Sequence, residues 1–323
     1  MKYNEFEIIS KFFKNHQKKD KNQIKGIGDD SALIKIPKNN LLTISTDTLV
    51  EGKHFLKNIT PKDLAYKSVA VNLSDLAAMG AKPKWITLSI TMPKSDSVWL
   101  KSFSRSFFKI LNKYKLNLIG GDTNSGPLSI TLSIYGLIEG KNALLRGNAK
   151  NGDLIYITGN LGESAAGLSL LQKKTFLKNV KICNYLIKKH LKPIPRISEG
   201  IALRNIANAA IDISDGLISD LGHILKNSKC GADINLSTIP ISKILTDNFE
   251  IDEYLNWALN SGEDYELCFT ISKKNVKKLN VAIKKKIIKC TCIGYITSAE
   301  KGFNLIQNQK KIIFKKSGFN HFI

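Results

Sequence analysis

Two kinds of apolar pattern take turns along the chain. Alternating or continuously apolar runs rich in β-branched residues occupy 31–36, 41–46, 85–92, 129–137 and 154–158, and each predicts a strand. Between them, 61–79 and 97–115 repeat apolar residues at helical spacing. A second series follows. It predicts helices at 162–172, around 183–190 and over 196–208, a strand at 210–213, a helix at 217–225, and strands near 265–271, 291–296 and 311–314. Strands and helices mixed in this way predict an α/β or α+β fold. The turn-rich stretch RGNAKNGD (146–153) lies between the two series and predicts a boundary, with domains at 1–147 and 148–323. No apolar run reaches ~18 residues, so no membrane-spanning helix is expected.

Composition changes this picture little. The 323 residues suffice for two domains, each with its own core. A net charge of +22 suggests an anionic partner. Yet only four basic residues are Arg (Arg105, Arg146, Arg196 and Arg204), and the lysines spread over the whole chain. Nucleic-acid sites recruit Arg for its bidentate fork. The charge therefore reads as compositional drift, and no nucleic-acid partner is expected. The five cysteines include no CxxC pair, which argues against a zinc site or a disulfide framework and for a reducing cytoplasm. The N-terminus carries Glu5 and Glu7 and lacks the apolar centre of a signal peptide.

The candidate chemistry lies in the carboxylates. Asp30, Asp47, Asp75, Asp122, Asp212 and Asp215 each stand beside small residues where an apolar run begins or ends. A carboxylate at the edge of a core is costly unless paired, and few basic residues stand beside these. Divalent cations answer that need, because Mg²⁺ takes hard oxygen ligands and bridges carboxylates to phosphates. Ser45 and Thr46 add hydroxyls next to Asp47. The alternative is that these residues are caps and turn formers, Asp215 as N-cap of the 217–225 helix in particular. Neither a P-loop nor a dinucleotide fingerprint is present. TGNLGES (158–164) is a glycine turn entering a helix, whose N–H groups suit a phosphate.

In order along the chain, GIGDDSA, ISTDTLVEGKHF, DLAYKSVAVNLSDLAAMGAKP, GGDT, RGNAKNGD, DISDGL and SGEDYEL resemble the motif series of the thiamine-monophosphate kinase family. The series runs from Gly26 to Leu267, with an aromatic GFNHF at 318–322. The resemblance implies the two-domain aminoimidazole-ribonucleotide-synthetase-like fold. Its N-terminal domain would form a homodimer, and its C-terminal α/β domain would complete the nucleotide and thiamine sites. It also implies ATP-dependent, in-line phosphorylation of thiamine monophosphate to thiamine diphosphate. Several Mg²⁺ ions would be held by Asp30, Ser45, Thr46, Asp47, Asp75, Asp122, Asp212 and Asp215. ATP would meet Gly121, Asp122, Arg146 and Ser214, and catalysis would fall to Asp47, Asp122 and Arg146. His54, Glu263 and Phe319 would meet the thiamine, whose cationic thiazolium suits a carboxylate and an aromatic face. Arg105 stands where the family often has Tyr near the nucleotide, and a guanidinium can stack there or pair with phosphate. Among sibling families, selenophosphate synthetase would bring a reactive Cys near the N-terminus, whereas the first Cys here is Cys183.

Overall fold

The computed structural model describes residues 3–16 and 20–312. The chain divides into two compact units, Met1–Leu76 with Ala81–Lys141, and Ala77–Gly80 with Asn142–Ile323.

The first unit opens with the short helix α1 (Glu5–Ile8). Its capping box pairs the Asn4 side chain with the Glu7 amide and the Glu7 carboxylate with the Asn4 amide. A small ribbon follows, β1 (Gln23–Lys25) against β2 (Leu33–Ile34). The main sheet contains β3 (Asn40–Val50), β4 (Lys82–Met92), β5 (Asn117–Ser125) and β6 (Ser129–Glu139), in the order β3-β6-β4-β5. β3 and β6 pair antiparallel along their whole length, whereas β4 and β5 pair in parallel. Parallel neighbours need a crossover, and α3 (Ser97–Tyr114) supplies it. Asp96 caps α3 by accepting from the Val98 and Trp99 amides, and Lys115 ends it in the left-handed conformation. Its buried stripe contains Leu100, Phe103, Phe107, Ile110 and Leu111. By contrast, α2 (Pro61–Ala78) is buried nearly all round, with Leu64, Ala65, Val69, Leu73 and Leu76 almost inaccessible.

The second unit is built on a seven-stranded sheet. Its elements are β7 (Leu154–Thr158), α4 (Glu163–Leu171), α5 (Val180–Leu191), α6 (Ile197–Leu203), β8 (Ala209–Asp212), α7 (Leu217–Ser228) and β9 (Gly231–Asn235). Then come α8 (Lys243–Thr246), α9 (Ile251–Asn260), β10 (Leu267–Ile271), α10 (Val276–Lys284), β11 (Cys290–Thr297), β12 (Phe303–Gln307) and β13 (Lys310–Ile312). The order is β13-β12-β9-β11-β7-β10-β8, antiparallel except for β12 beside β9. Strand alternation feeds two cores. Ile155, Ile157, Ile211 and Cys268 join Leu221 and Ile224 of α7, while Leu267, Phe269 and Ile271 join Leu203 of α6 and Leu279 of α10.

The structure corrects several sequence expectations. The strand predicted at 31–36 shrinks to Leu33–Ile34. Asp47 does not end its strand but lies inside β3, and Asp122 lies inside β5, which the pattern did not predict. The helix predicted over 196–208 stops at Leu203, and the Asn208 amide already bonds to the Thr270 carbonyl. Strands β9 and β12 and helices α9 and α10 also went unpredicted.

Candidate functional site

In the first unit, a cavity of about 680 Å³ opens beside the GIGDD turn. Asp29, Asp30, Gly121, Asp122 and Lys14 line its polar side, and Phe6, Ile9 and Phe13 its apolar side. Gly28 turns at φ +113, a conformation that favours glycine, and Lys14 Nζ lies 2.9 Å from where a Cβ would stand. Gly121 has a backbone reason of its own. A Cβ on it would lie 1.9 Å from the Leu88 carbonyl oxygen. Asp122 accepts from the Thr123 amide at 2.9 Å and from the Asn124 side chain.

On β3, strand alternation separates neighbours. Ser45 and Asp47 lie on the half-buried face, where the Ser45 hydroxyl donates to the Asp75 carboxylate of α2. Thr46 points to the exposed face and bonds to Ser133 at 2.8 Å. Its hydroxyl therefore lies on the opposite face of β3 from Ser45 and Asp47. His54 follows β3 in a turn, and its Nδ1 accepts from the Val50 amide at 3.0 Å. Arg105 lies on the exposed stripe of α3 with Lys101 and Lys109, outside the cavity lining.

In the second unit, Asp212 ends β8 and is buried. The loop after it is held from α7. One oxygen of the Asp220 carboxylate accepts from the Ser214, Asp215 and Gly216 amides at 3.0, 3.0 and 3.1 Å. Asp215 is thus not the N-cap of α7. Gly216 occupies that position at φ +110, and no side chain caps the helix there. Burial pushes the Asp220 carboxyl up to about 7; the charges of Asp215 and Asp212 add to this, and the backbone hydrogen bonds oppose it. Arg146 opens a short 3-10 turn with its side chain exposed.

The SGEDYEL segment returns beside that loop. Glu263 stands at φ +67, and its carboxylate lies 3.5 Å from Nδ1 of the buried His190. Asp264 accepts from the Gly162 amide at 2.8 Å and the Ser164 amide at 3.2 Å, at the start of α4. Those are the N–H groups that the sequence offered to a phosphate, and this carboxylate occupies them. Burial pushes the Asp264 carboxyl up to about 8. Glu266 bonds Thr158 and takes a two-point contact from Arg196. Burial works against charge on Arg196, but the Glu266 carboxylate more than offsets it and holds the guanidinium above its ordinary value. Asp220, His190, Asp264 and Arg196 were all missed as site-shaping residues: the partners of His190, Asp264 and Glu266-bound Arg196 lie far away in sequence, and Asp220, though close to its partners, reads as ordinary helix surface. Phe319 lies outside the described residues.

Among the described residues, no three His, Cys, Asp or Glu side chains lie close enough together to hold a metal ion by themselves. The donors that are present suit a metal shared with substrate. They are short carboxylates and a hydroxyl, and Mg²⁺ takes only one or two protein carboxylates and completes its shell with phosphate oxygens and water.

Comparison with known proteins agrees with this layout. The AIR synthase related protein N-terminal domain matches residues 28–138, and the corresponding C-terminal domain matches 150–305. A thiamine-monophosphate kinase of Buchnera aphidicola subsp. Schizaphis graminum (strain Sg) is 98% identical over 323 residues, 100% of each chain. The chain belongs to the thiamine-monophosphate kinase family. A crystal structure of a thiamine-monophosphate kinase from Stenotrophomonas maltophilia K279a superposes with a TM-score of 0.86 at 35% identity, covering 97% of this chain and 99% of that one. Another solved structure, AaThiL complexed with AMPPCP and TMP, superposes with a TM-score of 0.77 at 30% identity, covering 92% of each chain. The fold expected of the family, two AIR-synthase-type domains of mixed helix and sheet, is the fold observed.

Proposed function

We infer that this chain transfers the γ-phosphoryl group of ATP to thiamine monophosphate, giving thiamine diphosphate. The observation that carries this reading is the full-length identity of 98% to a thiamine-monophosphate kinase. The chemistry supports it. The acceptor is a phosphate monoester with a second pKa of ~6, so near neutrality it is a dianion and already a nucleophile. What must be overcome is repulsion between two polyanions, several kcal/mol at about 4 Å and intermediate dielectric. A set of aspartates suits that task better than a Ser-His-Asp triad.

On this reading Asp30, Ser45, Asp47, Asp75 and Asp122 of the first unit and Asp212 and Asp215 of the second hold Mg²⁺, with the Thr46 carbonyl. Bound Mg²⁺ supplies charge neutralisation and orients the in-line transfer. The exposed Arg146 guanidinium pairs with phosphate oxygens through its fork, and the Ser214 loop presents backbone to the nucleotide. Gly121 serves by admitting the close β4–β5 approach beside Asp122. Glu263 faces the cationic thiazolium, and Phe319 stacks on it. His54 acts in thiamine affinity, not in proton transfer. Arg105, exposed on α3, meets the nucleotide by stacking on it or pairing with phosphate.

β3 is an edge strand that exposes Leu41, Leu42 and Ile44, an edge suited to cover by a second copy of the chain. We therefore propose a homodimer, which sedimentation would report as twice the 35.9 kDa chain mass. No described helix is long and apolar enough to cross a membrane, and the five free cysteines fit a reducing compartment such as the cytoplasm. ATP turnover measured with and without thiamine monophosphate tests the kinase reading. Turnover should require the acceptor. Phosphate release independent of it would indicate a two-metal phosphohydrolase instead.

A further inference from the structure

The β8–β10 ladder does not stop where the strands end. Its last strand pair is Asp212 with Leu267. Beyond it the Ile213 amide donates to the Glu266 carbonyl at 2.8 Å, and the Tyr265 amide donates to the Ile213 carbonyl at 2.9 Å. The Glu263 amide then donates to the Ser214 carbonyl at 2.9 Å. Two glycines make this approach possible. A Cβ on Gly262 would lie 1.7 Å from the Ser214 carbonyl oxygen, and one on Gly216 would lie 2.7 Å from the Asn260 carbonyl carbon. The DISDG and SGEDYE loops are therefore one hydrogen-bonded body. Its anchor is Asp220, 2% exposed, with three consecutive amides converging on one carboxylate oxygen. In its ionised form this carboxylate makes charge-assisted bonds, which fix a loop more firmly than those of a neutral acceptor.

We propose that Asp220 is a positioning residue that sets the 212–216 loop and, through the extended ladder, Glu263 as well. The roles of the two loops rest on the kinase reading above: the first presents Asp212, Ser214 and Asp215 to the nucleotide, the second presents Glu263 to thiamine. Binding at either loop then orders the other, and the coupling is reciprocal. A role confined to starting α7 would give no such link.

Amide hydrogen exchange followed by mass spectrometry tests this on the full chain. In Asp220→Asn, which keeps the shape and removes the charge, peptides spanning 212–216 and 261–266 should both exchange about tenfold faster, with the rest of the second unit unchanged. The apparent KM for ATP and for thiamine monophosphate should rise together, several-fold each. Faster exchange in 212–216 alone, with the KM for thiamine monophosphate unmoved, overturns the coupling. Uniformly faster exchange across the unit shows a merely structural role and overturns the proposal too. If Asp220→Asn does not fold, the wild-type protein carries the test. AMPPCP with Mg²⁺ should slow exchange at 261–266 as well as at 212–216, and protection of 212–216 alone overturns the proposal. Exchange in Asp220→Asn does not depend on the reaction. A wild-type protein that makes no thiamine diphosphate would refute the kinase reading while the variant still tested the anchor.

Discussion

Adjacent glycines in β5 should respond in opposite directions to the same added methyl group. Gly120 pairs with Thr87, and a Cβ on it would meet only the Thr87 methyl at 3.8 Å, an ordinary contact. Gly121 pairs with Leu88, and its Cβ would fall 1.9 Å from the Leu88 carbonyl oxygen and 2.7 Å from the carbonyl carbon. Backbone cannot rotate away as a side chain can, so β4 and β5 must separate by roughly 1 Å or more in a region packed like a crystal. Overpacking costs roughly 1–3 kcal/mol. The φ of +154 adds roughly 1–2 kcal/mol for any residue with a Cβ. Gly121→Ala should therefore lose about 3–4 kcal/mol, near 10 °C in Tm at roughly 2–4 °C per kcal/mol. Gly120→Ala should be neutral or stabilising by up to about 1 kcal/mol, since alanine narrows the unfolded ensemble. Differential scanning calorimetry on both variants decides. Melting within about 2 °C of each other would refute the claim that Gly121 is required by strand approach.

Three further outcomes are expected. Asp47→Asn should keep its Tm within about 2 °C and lose most transfer activity; near-normal turnover at saturating Mg²⁺ would remove Asp47 from the metal set. Arg146→Lys should raise the apparent KM for ATP more than that for thiamine monophosphate, because Lys lacks the fork, and equal rises would contradict a nucleotide role. Asp264 binds its proton more tightly in the folded chain than in the unfolded one, with its carboxyl raised to about 8. Its contribution to stability is therefore full below pH ~4 and is lost as pH rises through about 8. The Tm of Asp264→Asn should gain on the wild type between pH 5 and pH 9, and parallel curves would show that Asp264 does not titrate in that range.

Periodicity made the long elements legible, and α2, α3, β4 and β6 lie where the pattern places them. It failed where local composition hides the element. β5 carries Gly120, Gly121 and Asp122, which weaken its strand pattern, and only the Leu88 contact shows why glycine belongs inside that strand. α10 is too rich in lysine for its apolar positions, Leu279 and Ala282, to stand out. The aspartates were recognisable from their small neighbours and from the motif series. Their placement was not, because alternation on β3 puts Thr46 on the opposite face from Ser45 and Asp47. The supporting charges were invisible in one dimension. Asp220 is 5 residues from Asp215 and reads as ordinary helix surface, and Glu266 meets Arg196 across 70 residues.

The central claim is tested most directly by incubating the purified protein with ATP, Mg²⁺ and thiamine monophosphate and separating the products by chromatography. The account predicts thiamine diphosphate and ADP in equal amounts, none of either without the metal, and none when unphosphorylated thiamine replaces the acceptor. ADP and inorganic phosphate accumulating without thiamine diphosphate would contradict it.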